Sequence, residues 1–106
     1  MKLTIGVPVY NGEKYISRCI DSIAKEYEAV KDKIELELLI VNDGSKDSSE
    51  TMLKGYSVKL SYLKVISQEN RGLAHVRRVT LEEASGDYLW FVDVDDEIEH
   101  GALKFI

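Results

Sequence analysis

Residues 87–97 read DYLWFVDVDDE, an apolar run that stops at Val92 and gives way to Asp93, Asp95, Asp96 and Glu97. A short continuous apolar run bounded by turn formers is what a strand buried on both faces looks like, and such strands belong to parallel sheets. Ser85-Gly86 in front of the run ends whatever precedes it. The expected picture is an interior strand, Tyr88 to Val92, with carboxylates at its carboxyl end.

Working outward, the preceding segment from Gly72 to Ala84 carries Leu73, Val76, Thr80, Leu81 and Ala84 at helical spacing, which predicts a helix with these residues inward. Before it, a strand is predicted within Val58 to Ile66, and before that a weak helix opening at Asp47 with Glu50 three residues on, burying Met52, Leu53 and Tyr56 and ending near Gly55. Leu36 to Val41 (LELLIV) is another strand, followed by Asn42-Asp43-Gly44-Ser45 as a turn. At the amino end Leu3 to Val9 is a strand. Glu13 to Tyr27 is a helix, with Ile16, Cys19, Ile20, Ile23, Ala24 and Tyr27 on one stripe.

Four strands alternate with three helices. That order predicts right-handed crossovers and an α/β domain, a mostly parallel open sheet with helices on both faces, Rossmann-like, with strand order 3-2-1-4. Ligands of such sheets sit beyond the carboxyl ends of the strands, where the strand order reverses. Here that crevice lies between the first and fourth strands. The segments after strands one, two and four (Pro8 to Gly12, Asn42 to Ser45 and Asp93 to Asp96) converge on it.

Composition limits the function. With 106 residues, 44% hydrophobic and 31% charged, the chain is long enough for one core and too apolar to be disordered. A net charge of −5 argues against a nucleic-acid partner, because phosphate recognition relies on a basic surface. Cys19 is the single cysteine and has no internal partner for a disulfide, so the chain gives no sign of an oxidising compartment. The start, MKLTIGVPVY, is too short an apolar run for a signal sequence and no stretch is long enough to span a membrane. The expected location is the cytoplasm, with peripheral attachment to the inner face of a membrane left open for a full-length protein.

Four segments in this order, VPVYNGEKYISRCIDSI, LLIVNDGSKDSS, ENRGLAHVRR and GDYLWFVDVDDE, resemble the nucleotide-sugar-binding half of the family 2 glycosyltransferases, of GT-A fold, over essentially the whole chain. The resemblance implies transfer of a sugar from a nucleotide diphosphate donor, a UDP-sugar, to a saccharide, lipid or protein acceptor. It implies Asp95 as the direct metal ligand of a DxD motif, with Asp93 near the ribose or reaching the metal through water. A sugar nucleotide brings a diphosphate that carboxylates alone would repel, so a hard divalent cation, Mn²⁺ or Mg²⁺, is expected between them. The resemblance also places Asp43 at the base, where a carboxylate can accept the imide N–H of uracil that cytosine lacks. Pro8 and Val9 would floor the nucleoside pocket, with Tyr10 stacking on the base and Arg77, on the motif arginine, approaching the nucleotide. Asn11 and Gly12 would open the first helix with backbone N–H groups facing phosphate.

Plainer readings stand beside these. The acids after Val92 can simply favour the start of a following helix; Asn42 or Asp43 can be turn formers; Arg71, Arg77 and Arg78 can be the solvated side of a helix. Tyr10 can be a partly buried loop aromatic. His75 and His100 share no metal-ligand spacing and are expected to be structural or exposed, and Cys19 to be core. Two other classes remain open, a non-catalytic nucleotide-sugar-binding module and a haloacid-dehalogenase-type phosphatase, whose motif also follows an apolar run. Gly101 to Ile106 reads as the start of another helix, so the chain is expected to be the first part of a larger enzyme. The acceptor-activating base would then lie beyond residue 106, and the fragment alone is expected to be inactive and to self-associate around Trp90 and Phe91.

Overall fold

The computed structural model describes residues 1–99 and 101–105. Four strands, β1 (Lys2–Val9), β2 (Glu35–Asp43), β3 (Leu63–Gln68) and β4 (Tyr88–Phe91), alternate with three helices, α1 (Ile16–Val30), α2 (Ser49–Lys59) and α3 (Leu73–Glu83). A short 3₁₀ helix follows at Ala102–Phe105. All strand pairs are parallel, in the order β3-β2-β1-β4. The first two right-handed crossovers advance in one direction and put α1 and α2 on one face, whereas the third doubles back past β1 and puts α3 on the other.

Side-chain alternation along β1 divides the two layers. Leu3, Ile5, Val7 and Val9 pack with Ile16, Ile20 and Ile23 of α1 and Leu53 of α2. On the opposite face Gly6 lies under α3, where an added Cβ would stand 2.6 Å from Thr80 Cγ2, so the missing side chain lets the helix approach the sheet. A polar tie at the amino end of the sheet was not legible in advance. Glu37 accepts hydrogen bonds from the Thr4 hydroxyl and from the Ser85 N–H and hydroxyl, joining β1, β2 and the turn before β4. Burial pushes the Glu37 carboxyl up, but these bonds, with Lys2 nearby, outweigh it and hold it below the ordinary carboxylate range.

Several local expectations are corrected. Helix α1 begins at Ile16 rather than Glu13, because Gly12 to Tyr15 form a turn in which Tyr15 and Ile16 both donate to the Gly12 carbonyl. Its buried stripe ends in Glu26 and Val30, while Ala24 and Tyr27 are half-buried. Asn42 and Asp43 belong to β2, not to a turn, since Asn42 pairs with Ser67 and Asp43 with Gln68. Gly55 sits inside α2, exposed, and does not end it. On α3, Val76 and Thr80 face the sheet, but Leu73 and Leu81 are 50% and 63% exposed. His100 and Ile106 lie outside the described residues. No described helix is long and apolar enough to cross a membrane.

Candidate functional site

The carboxyl ends of β1, β2 and β4 border a cleft of about 460 Å³. Pro8, Val9, Tyr10, Asp43, Asp93 and Asp95 all line it, so parallel strand order gathers residues up to 87 positions apart, from Pro8 to Asp95. Arg77 does not line it. Its guanidinium lies over the Phe91 ring of β4, 6.0 Å from the centroid. The cleft is completed by Asn70, Gly72, Leu73 and Val76 from the β3–α3 connection and by Val94. Sequence reasoning assigned Leu73 and Val76 to the core, placed Val94 within a segment converging on the crevice, and did not single out Asn70 or Gly72. The N-R-G-L segment carried the available signal, because a glycine with φ of +92° at position 72 allows the chain to turn sharply into α3.

Asp43 closes one end of the cleft and is 5% exposed. Its Oδ1 accepts hydrogen bonds from Gln68 Nε2 at 3.0 Å and the Arg71 N–H at 2.8 Å, and its Oδ2 accepts the Gly72 N–H at 3.0 Å. Burial raises the carboxyl, yet these three donors and the neighbouring His75 hold it below its ordinary value, so it is ionised at neutral pH. Gly44, with φ of +71°, is needed beside it, since a Cβ there would be 2.6 Å from the Asn70 nitrogen. Asn42, the next-to-last residue of β2, ties down the connection that follows, its Oδ1 accepting the Ser45 N–H at 3.3 Å.

The amides expected to greet phosphate at the start of α1 are otherwise engaged. The N–H groups of Asn11, Gly12 and Glu13 donate to Ser45 Oγ, Ser49 Oγ and Asp47 Oδ2. That expectation is therefore withdrawn.

At the other end Asp93, Asp95 and Asp96 are exposed and each offers an oxygen within 4.8 Å of the others'. A turn in which the Asp96 N–H bonds the Asp93 carbonyl at 3.0 Å brings them together. The helix-start reading of these acids loses its premise, because no α-helix follows among the described residues and the 3₁₀ helix begins only at Ala102. The set is made of carboxylate oxygens only, which suits a hard divalent cation, whose two positive charges would offset most of the crowding of three carboxylates. Glu97 turns aside to Arg18 at 3.0 Å. The loop is held to α1 by the Ile98 N–H on Ser22 Oγ and the Gly101 N–H on the Glu26 carboxylate. Beneath the turn, burial first and then Asp96 and Asp95 push the Cys19 thiol up to about 12, so it is a packed, protonated group and neither ligand nor nucleophile.

The family model for glycosyl transferase family 2 matches residues 4–104. The chain belongs to glycosyl transferase family 2. It is 42% identical over 103 residues to the glycosyltransferase GlyA of Streptococcus pneumoniae, covering 97% of this chain and 14% of that protein. It is 39% identical over 106 residues to the poly(ribitol-phosphate) beta-N-acetylglucosaminyltransferase TarS of Staphylococcus aureus, covering 98% of this chain and 18% of TarS. The crystal structure of TarS 1-349 in complex with UDP superimposes with a TM-score of 0.85 at 37% identity, over 99% of this chain and 30% of that one. The mannosyltransferase PcManGT of Pyrobaculum calidifontis, in complex with GDP-Man and Mn²⁺, matches with a TM-score of 0.83 at 26% identity, over 95% of this chain and 30% of that one. The sheet is thus the GT-A sheet, and the chain spans less than a third of each relative named here.

Proposed function

We propose that this domain binds the nucleoside diphosphate part of a UDP-sugar, with a divalent cation at Asp95 and Asp93, for transfer of the sugar to a saccharide, lipid or protein acceptor. The observation that carries the reading is one cleft with a buried, ionised acceptor at one end, Asp43, and an exposed oxygen-ligand cluster at the other. Asp43 takes the uracil imide N–H on the one acceptor site that its three internal donors leave unused, since a carboxylate has about four. Pro8 and Val9 bear on the nucleoside, and Tyr10, 49% exposed at the mouth, covers the base. A cation bound by Asp95 and Asp93, Mn²⁺ or Mg²⁺, supplies Lewis-acid stabilisation of the departing diphosphate. Arg77 has no place in this site.

The uridine and Mn²⁺ choices draw support from the TarS complex with UDP and the mannosyltransferase complex with GDP-Man and Mn²⁺. The phosphatase alternative is not carried further, because the relatives are glycosyltransferases throughout the matches above. The residues assigned above serve the donor alone, and the half-buried Trp90 and Phe91 on edge strand β4 offer a surface where a second copy would pair. The 106-residue chain by itself is thus proposed to bind donor without turning it over. A cytoplasmic setting, with peripheral attachment to the inner face of a membrane open, belongs to the same proposal and rests on the free, buried Cys19.

Calorimetric titration with UDP, CDP and GDP, each with Mn²⁺ and with chelator, tests the reading. UDP should bind most tightly and only with metal. Equal binding in chelator would remove the metal from the proposal, and equal binding of CDP would remove the Asp43 assignment. Glycosyl transfer by the full-length enzyme, set against its absence, separates an enzyme from a binding module.

A further inference from the structure

The β1–α1 and β2–α2 loops are stitched to one another in both directions. Asn11 N–H donates to Ser45 Oγ at 2.9 Å, and Asn11 Oδ1 accepts the Lys46 N–H at 2.8 Å. Gly12 N–H donates to Ser49 Oγ at 2.9 Å, and Ser49 is wholly buried. Glu13 N–H donates to Asp47 Oδ2 at 3.2 Å, while Glu13 Oε2 accepts the Ser48 N–H at 3.1 Å. Asp47 Oδ1 in turn accepts the Ser49 N–H at 2.9 Å, so the receiving loop is itself braced. Asn11 reaches this arrangement through a left-handed φ of +49°, a conformation that asparagine tolerates far better than most residues.

Two loops joined through five reciprocal bonds move as one body. One of them carries Tyr10 immediately before Asn11, and the other leaves β2 directly after Asp43, two residues before Ser45. We infer that Asn11 and Glu13 are positioning residues, which touch no nucleotide but set the gap between Tyr10 and Asp43 and so preorganise the nucleoside end of the cleft. This rests on the nucleotide reading above. The gain is entropic. A base entering a gap already set need not order two loops, whereas the metal end is tied instead to α1 through Ile98 and Gly101 and shares none of the five bonds of the stitch.

The test uses Asn11→Ala, the conservative Asn11→Asp, which retains the acceptor for Lys46, and Glu13→Ala beside Glu13→Gln. Titrations with Mn²⁺ compare UDP with inorganic pyrophosphate, which engages only the metal end. Asn11→Ala and Glu13→Ala should weaken UDP about tenfold and leave pyrophosphate unchanged, and Asn11→Asp and Glu13→Gln should restore UDP binding. Unchanged UDP affinity in both alanine variants, or equal loss of UDP and pyrophosphate, would overturn the inference. Amide hydrogen exchange on the ligand-free protein reads the clamp without nucleotide. In Asn11→Ala, protection should fall together at residues 11–13 and 45–49 and persist in β4; loss confined to one loop would also overturn it. No nucleoside diphosphate binding by the wild type, together with that joint loss in Asn11→Ala, would fault the nucleotide reading and leave the clamp standing.

Discussion

The two ends of the cleft handle negative charge in opposite ways. Asp43 is buried and its charge is met by the protein's own donors, Gln68 and the backbone of Arg71 and Gly72. Asp93, Asp95 and Asp96 are exposed and crowd one another. An arrangement of the first kind is finished before any ligand arrives, and it serves shape and hydrogen-bond selection. One of the second kind is stabilised by a counter-charge from outside, and makes affinity depend on a cation. The difference teaches which mutations should act through stability and which through metal.

The largest effect is expected at the exposed end. Asp95→Ala should remove the Mn²⁺-dependent part of UDP binding, a loss on the order of 100-fold, with the melting temperature nearly unchanged because an exposed carboxylate in a repelling cluster holds little structure. Calorimetry and thermal denaturation on the same sample check both halves. A large drop in melting temperature would erase the contrast between the two ends.

Asp43→Ala should do the reverse in kind. It removes the acceptor of three part-buried hydrogen bonds in the β3–α3 turn, costs about 1–2 kcal/mol in urea denaturation, and blurs the preference for UDP over CDP. The pH dependence has a definite sign. Because folding lowers the Asp43 carboxyl below its ordinary value, its contribution is complete above the unfolded value of about 3.9 and disappears as pH falls through the lower folded value. The wild type should therefore lose stability below about pH 4 more steeply than Asp43→Ala does. Parallel acid limbs for the two proteins would refute this.

Ser49→Ala, which leaves the buried Gly12 N–H without its acceptor, should cost about 1–2 kcal/mol and loosen the nucleoside end only. Exchange protection in β4 and pyrophosphate binding are the controls. Gly55→Ala should have the smallest effect, and a favourable one, of about 0.5–1 kcal/mol, since a Cβ there meets nothing within 4 Å and glycine is poor inside a helix. It should stabilise both ends alike and leave UDP binding as it was. A change in base preference would mean that α2 feeds into the site.

Much of the site was legible because it rests on strand ends. Periodicity marked β1, β2 and β4, the handedness of crossovers set their order, and Pro8, Asp43 and Asp95 then had to meet at one edge of the sheet. What was not legible depends on partners remote in the chain. The stitch pairs Asn11 to Glu13 with Ser45 to Ser49, 34 to 37 residues away, and nothing in the local pattern of either loop names the other. The same remoteness misled the reading of the Asn11 and Gly12 amides as phosphate donors.

The apolar pattern also could not say which side of a helix would find a neighbour. Leu73 and Leu81 carry the spacing of a buried stripe and stand exposed, while Val76 and Thr80 meet the sheet, because β4 is an edge strand with nothing described beyond it. Arg77 matched a motif position, and its place over Phe91 was settled by where α3 docks on Gly6. The sequence by itself determined the elements, their order and the acids at the strand ends, because these follow from local periodicity and chain handedness. Only the tertiary structure decided which hydrogen bonds lock the loops and which carboxylates are buried, because those depend on contacts between segments that the chain brings together only when folded.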